Sequence, residues 1–140
     1  IRTGIVLAGS GGALGKLLLP FRLGVGGRLG SGETWWSWIS IADEVRAIRH
    51  IMDTPLSGPV NVTGPNPVTN AELTKVLGRV LRRPTLLPVP RFALEALLGK
   101  DLAAALLFTS ARVLPENLQQ SGFEHVHPTI ESALRAVLNR

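Results

Sequence analysis

The sequence predicts an α/β fold, and three stretches carry that expectation. Ile5-Val6-Leu7, led in by Arg2-Thr3-Gly4, is an apolar β-branched run that stops at Gly9-Ser10-Gly11-Gly12, as a buried parallel strand turning into a helix does. Leu73, Val76, Leu77, Val80 and Leu81 recur at helical spacing behind Thr69 and Glu72, which are placed to form a capping box. Residues 34–41 are rich in Trp and Ile with partial alternation and read as a strand.

The remaining elements follow in order. An apolar helix is expected over 13–21, then a glycine-dense stretch of tight turns (Gly24, Gly26, Gly27, Gly30, Gly32). Asp43 is a good N-cap for a helix whose apolar face would be Val45, Ile48, Ile51 and Met52. Val60-Asn61-Val62 is a short strand, and Pro65-Asn66-Pro67 a turn. Arg83-Pro84 stops the capping-box helix, and Leu86-Leu87 could form a brief strand. Helices are expected on either side of Gly99, another begins near Pro115 and closes at Gly122, and Thr129 caps the last, with Ile130, Ala133, Leu134, Val137 and Leu138 on its face.

Composition narrows the function classes. The 140 residues suit one domain large enough to bury a core. With no cysteine, disulfides and thiolate metal sites are excluded. The longest apolar runs are broken or too short to span a bilayer, no secretory signal is visible, and a cytoplasmic location without a membrane partner is expected. The net charge of +5 comes from scattered arginines with no aromatic interleaving, so nucleic acid is not expected as a partner. A buried strand at the very start, with no polar lead-in, leads to the expectation that the chain is the back part of a longer protein.

The chemical motifs are mostly near misses. Ser10-Gly11-Gly12-Ala13-Leu14-Gly15-Lys16-Leu17 lacks the first glycine of a phosphate loop and the Ser/Thr that would hold Mg²⁺. The dinucleotide turn fails at Leu14. His125 and His127, two residues apart with no third ligand, do not make a metal site, and none is expected. Asp43 and Glu44 point to different helix faces and suit capping. Trp36 and Trp38 share one face of a strand and could be core or pocket wall, with Trp35 opposite. There is no tyrosine, and no nucleophile or general base stands out.

Several of these segments recur in one order in a known family. They are Arg2-Thr3-Gly4-Ile5-Val6-Leu7 with its glycine-rich loop, Leu19-Pro20-Phe21-Arg22-Leu23-Gly24, Gly30-Ser31-Gly32 and Trp38-Ile39. Next come Asn61-Val62-Thr63, the run from Pro65 to Glu72, Leu87-Pro88-Val89-Pro90, Arg112-Val113-Leu114-Pro115 and Gly122-Phe123. The whole chain resembles the C-terminal half of the atypical short-chain dehydrogenase/reductase family known as NAD-dependent epimerase/dehydratase or nucleoside-diphosphate-sugar epimerase.

The resemblance implies that residues 1–12 close a Rossmann-like sheet and that the rest of 1–140 forms a small mixed substrate lobe with several helices. It implies a preceding N-terminal half with a Gly-rich nucleotide turn and a Tyr-x-x-x-Lys pair, so no catalytic residue is assigned here. NAD or NADP would serve the intact protein, and none is expected to bind this stretch alone. Arg2 matches an arginine near the nicotinamide and is the cofactor-binding candidate. Arg22, Trp36, Trp38 and Asp43 are the substrate-binding candidates, for a sugar-nucleotide-like molecule. Ser40 stands where relatives commonly carry His, which undercuts a histidine-based substrate contact, and Ala8 replaces a frequent glycine. The competing class is a non-catalytic binding or dimerisation module, with a homodimer formed through an exposed apolar edge.

Overall fold

A computed structural model describes residues 1–140. Two short strands lead, β1 (Arg2–Thr3) and β2 (Ile5–Leu7), followed by α1 (Gly12–Arg22). The Trp-rich stretch splits into β3 (Trp35–Trp36) and β4 (Trp38–Ser40) and runs directly into α2 (Ile41–Asp53). Then come β5 (Asn61–Val62), β6 (Val68–Thr69), α3 (Asn70–Leu81), α4 (Arg91–Leu98), α5 (Lys100–Phe108), α6 (Glu116–Gln120) and α7 (Ile130–Leu138).

The strands pair as β-branched, doubly covered strands do. β2 lies parallel to β4 with Ile5 opposite Trp38, Val6 opposite Ile39 and Leu7 opposite Ser40. β1 lies parallel to β5, and β3 pairs antiparallel with β6. Side chains on β2 and β4 alternate between two cores. Ile5, Leu7 and Trp38 join the larger core with Leu14, Leu17, Phe21, Leu73, Leu77 and Leu134, drawn from α1, α3 and α7. Val6 and Ile39 face a smaller core of Ala47, Val60, Val62, Leu118 and Phe123, under α2 and α6. Both faces of this parallel pair are therefore buried by helices.

Gly4 allows the close fit between β1, β2 and their neighbours. A Cβ there would run into the Ser37 carbonyl oxygen on one side and the Thr63 methyl on the other. Between these contacts, the Gly4 N–H donates to the Val62 carbonyl at 3.1 Å and the Ile5 N–H to the Ser37 carbonyl at 2.7 Å.

Helix ends follow their capping residues, with two corrections: the expected box at Thr69 is one-sided, with no bond returned by the Glu72 side chain, and α2 is capped by a different residue. Thr69 caps α3 by accepting from the Glu72 N–H at 3.3 Å. The helix ends as expected before Pro84, with Arg82 left-handed at φ 55° and the Arg83 N–H donating to the Gly78 carbonyl at 2.9 Å. Thr129 caps α7 in a reciprocal box completed by Ser132. The cap of α2 is Ser40, not Asp43: Ser40 Oγ accepts from the Asp43 N–H at 3.2 Å, so the helix starts three residues earlier than its acidic pair suggests. Its orientation also differs from the apolar stripe. The buried positions are Asp43, Glu44 and Ala47, while Val45, Ile48 and Met52 stand exposed together with Ile41. Leu86 and Leu87 form no strand and are exposed; an isolated parallel bridge joins Leu29 to Val89 instead.

Candidate substrate cleft

A cleft of about 600 Å³ opens where β1, β3 and β5 meet α5. Arg2, Trp36, Asn61 and Thr63 line one side, and Leu102, Ala105 and Leu106 of α5 form an apolar wall opposite. Residues 109–114 run along its edge, held there by side chains of the Trp-rich stretch. Ser37 Oγ donates to the Ala111 carbonyl at 2.6 Å and accepts from the Val113 N–H at 2.9 Å. The Trp35 N–H donates to Ser110 Oγ at 2.9 Å, and Asn61 Nδ2 donates to the Leu114 carbonyl at 3.3 Å. This stapled segment sets the Arg112 guanidinium over the Trp35 ring, 5.4 Å from its centroid. Beyond Asn61 and Val113 the cleft adjoins a polar hollow of about 410 Å³ lined by Arg112, Glu116 and Asn117.

The site is thus apolar along α5 and polar at its mouth, with two arginines on its rim. Such a surface suits a ligand with a flat or ring-shaped body and an anionic group. Arg112, Asn61 and Ser37 were not singled out from sequence. The only signal for Arg112 was its place in Arg112-Val113-Leu114-Pro115, and nothing local marks Ser37 as a staple.

The structure brings two of the sequence-derived candidates together and sets three elsewhere. Arg2 and Trp36 both line the cleft, Trp36 being at once buried core and cleft wall. Trp38 lies in the larger core, its Nε1–H donating to the Asn66 carbonyl at 2.9 Å. Arg22 is the exposed last residue of α1 and is not among the cleft residues.

Asp43 is fully buried and tied to protein groups. Its Oδ1 accepts from the Val126 N–H and from Arg46 Nη1, both at 2.9 Å, and its Oδ2 accepts from the His127 N–H at 2.9 Å. Burial by itself would raise this carboxyl. The two backbone N–H groups and the Arg46 guanidinium outweigh that and hold it below the ordinary Asp value. The neighbouring Glu44 shows the opposite balance. Burial pushes its carboxyl up, opposed only by the Thr3 hydroxyl, which donates to Oε1 at 3.0 Å, while Oε2 has no hydrogen-bond partner.

The histidines sit around the same clamp. His127 Nδ1 and Ser40 Oγ share a hydrogen bond of 2.9 Å, and His125 Nε2 contacts the Thr63 carbonyl at 2.9 Å. No three metal-ligating side chains converge anywhere in the chain. The turn from β2 into α1 is tight, with Gly11 and Gly12 both at positive φ. No helix is long and apolar enough to cross a membrane.

A parallel strand pair buried between helix layers beside a cleft is an α/β arrangement, and its match to solved structures makes it the C-terminal part of an extended short-chain dehydrogenase/reductase fold. Residues 89–137 match a family described as a domain of unknown function (DUF1731). Epimerase family protein Mb2239 of Mycobacterium bovis is 48% identical over 134 residues, which are 95% of this chain and 44% of that protein. Human epimerase family protein SDR39U1 is 35% identical over 139 residues, 99% of this chain and 47% of that protein. A crystal structure of the human protein (isoform 2) with NADPH superposes with a TM-score of 0.88 at 34% identity, covering 99% of this chain and 47% of that one. UDP-glucose 4-epimerase from Thermotoga maritima, solved with UDP-glucose, superposes with a TM-score of 0.68 at 17% identity and shares the fold alone.

The chain belongs to this epimerase family. It spans less than half the length of the curated relatives it matches.

Proposed function

We propose that residues 1–140 are the substrate-facing lobe of a longer NAD(P)-dependent enzyme acting on a sugar-nucleotide-like substrate, with residues 1–12 completing its Rossmann-like sheet. The observation that carries this reading is the cleft itself, an apolar wall on α5 facing Trp36 and Asn61, with Arg2 and Arg112 on its rim. Arg112 and Arg2 would meet the phosphates, and the Trp35–Trp36 pair would flank the sugar or base. Trp38 and Asp43, both buried, act at one remove in this reading, holding the Trp-rich stretch and the start of α2 in place, and Arg22 has no part in the cleft.

The cofactor fits only in part. Arg2 lies at the cleft's edge and suits the nicotinamide end, but no Gly-x-Gly-x-x-Gly turn occurs among these residues. The segment corresponding to the relatives' N-terminal half would supply that cradle. A nicotinamide held there would supply reversible hydride transfer at a carbinol carbon. This chain's part is to bind and orient the substrate and, through α5 and residues 109–114, to keep water from it. The exposed apolar stripe of α2 supports the reading, since it offers a ready face for that segment.

The test uses the full-length protein that carries this stretch. Titrated with UDP-glucose and followed by tryptophan fluorescence, it is expected to show saturable quenching that Arg112→Ala weakens about tenfold. Quenching left unchanged by Arg112→Ala and Arg2→Ala together would overturn the assignment of the cleft.

A further inference from the structure

Two turns far apart in sequence form one surface at the far end of α1. The Gly24 Cα faces the Pro84 ring, and Gly27 lies so close to Leu87 that a Cβ there would run into the Leu87 carbonyl oxygen. The Val89 N–H donates to the Arg28 carbonyl at 2.9 Å, fixing the second turn against the first. Four aliphatic side chains stand out from this surface: Leu23, Val25, Leu86 and Leu87 are 69%, 66%, 89% and 76% exposed. Val25, Leu86 and Leu87 line a hollow of about 200 Å³ together with Gly24, Gly26 and Pro84. Arg22, Arg82 and Arg83 flank them, all exposed. No acidic residue occurs in 1–32 or in 73–94, so both turns are purely cationic.

We propose that this surface docks peripherally on an anionic lipid bilayer, with the aliphatic tips in the headgroup–acyl boundary and the arginines on lipid phosphates. Charge complementarity selects the occupant. A second copy would set Arg22, Arg82 and Arg83 against the same three residues. Nucleic acid would use the cations and leave four aliphatic side chains in water. The segment preceding Ile1 in longer relatives joins at β1, whereas this surface lies at the far end of α1, whose 11 residues span about 16 Å. The cations look scattered along the sequence because only the fold packs the turn after Arg22 against the turn after Arg82-Arg83. The docking adds to the proposed enzyme function and does not depend on it.

The experiment is co-sedimentation of the full-length protein that carries this stretch with vesicles of phosphatidylcholine, alone or with about 30% phosphatidylglycerol, at low salt and at about 0.5 M salt. Binding is expected only with phosphatidylglycerol and is lost at high salt. Arg82→Ala/Arg83→Ala and Leu86→Ser/Leu87→Ser should each weaken partitioning about tenfold. These positions are exposed, so thermal melting should match the parent, and Val45→Ser/Met52→Ser on α2 should bind vesicles like the parent. Three results would overturn the proposal: no sedimentation with anionic vesicles; sedimentation that neither patch variant changes; or a parent dimer, seen by light scattering, that Leu86→Ser/Leu87→Ser dissolves. Equal binding to duplex DNA by parent and leucine variant, with no vesicle binding, would assign the surface to nucleic acid instead.

Discussion

The backbone N–H of His127 donates to the Oδ2 of Asp43 at 2.9 Å across 84 positions of sequence. With the Val126 N–H and Arg46 on Oδ1, this bond ties the first turn of α2 to the segment that enters α7. One carboxylate thus locks the smaller core to the C-terminal end of the chain.

Replacing Asp43 with Ala should therefore cost about 2–3 kcal/mol, since it leaves two part-buried N–H donors and the Arg46 guanidinium without their acceptor. Denaturant melts of Asp43→Ala and the parent measure the difference. The pH dependence follows from the lowered carboxyl. Its stabilisation is complete above the ordinary Asp value of 3.8 and is lost as pH falls through the lower folded value. The gap between parent and Asp43→Ala should accordingly narrow only below about pH 4.

Glu44 predicts the reverse. Its carboxyl is raised by burial, so folding is favoured by the protonated form, and stability falls as pH rises from the ordinary value of 4.5 through the raised one. Glu44→Gln keeps the shape and the Thr3 contact without the charge. Its melting temperature should exceed the parent's near pH 7 and match it near pH 4. A lower melting temperature at neutral pH would show that the buried charge is compensated.

Ser37 staples residues 111–113 to the cleft through a donated and an accepted bond. Ser37→Ala should cost about 1–2 kcal/mol and leave the Val113 amide without its acceptor. Hydrogen exchange should report faster exchange at Val113 than in the parent, with α3 amides unchanged.

Gly4→Ala should destabilise by about 2 kcal/mol or more, because the new methyl meets a backbone oxygen that cannot swing aside. Thermal melting tests this directly, and a neutral effect would mean that β1 and β2 separate from β4 more easily than the packing implies.

Much of the fold could be read from local signals. The β-branched run at 5–7, the cap at Thr69 with its stripe through Leu81, and the cap at Thr129 each rest on neighbours in sequence, and each element lies where those neighbours place it. The α2 helix went astray because its cap and its orientation are set from outside. Ser40 and Asp43 are drawn to the 126–127 segment, which turns the polar first turn inward and the apolar stripe out. The cleft was only half legible. Arg2 stands in an ordered motif and Trp36 in an alternating Trp-rich strand, whereas the placement of Arg112 and the Ser37 staple depends on contacts across roughly seventy-five residues. Spacing holds no trace of such contacts.

The proposed role as a substrate wall requires a cofactor-binding half elsewhere in the longer protein. The most direct measurement is calorimetric titration with NADPH of the 140-residue chain and of the full-length protein that contains it. Saturable binding by the full-length protein and none by the shorter chain is the expected result. Tight, saturable NADPH binding by the 140 residues alone would contradict it.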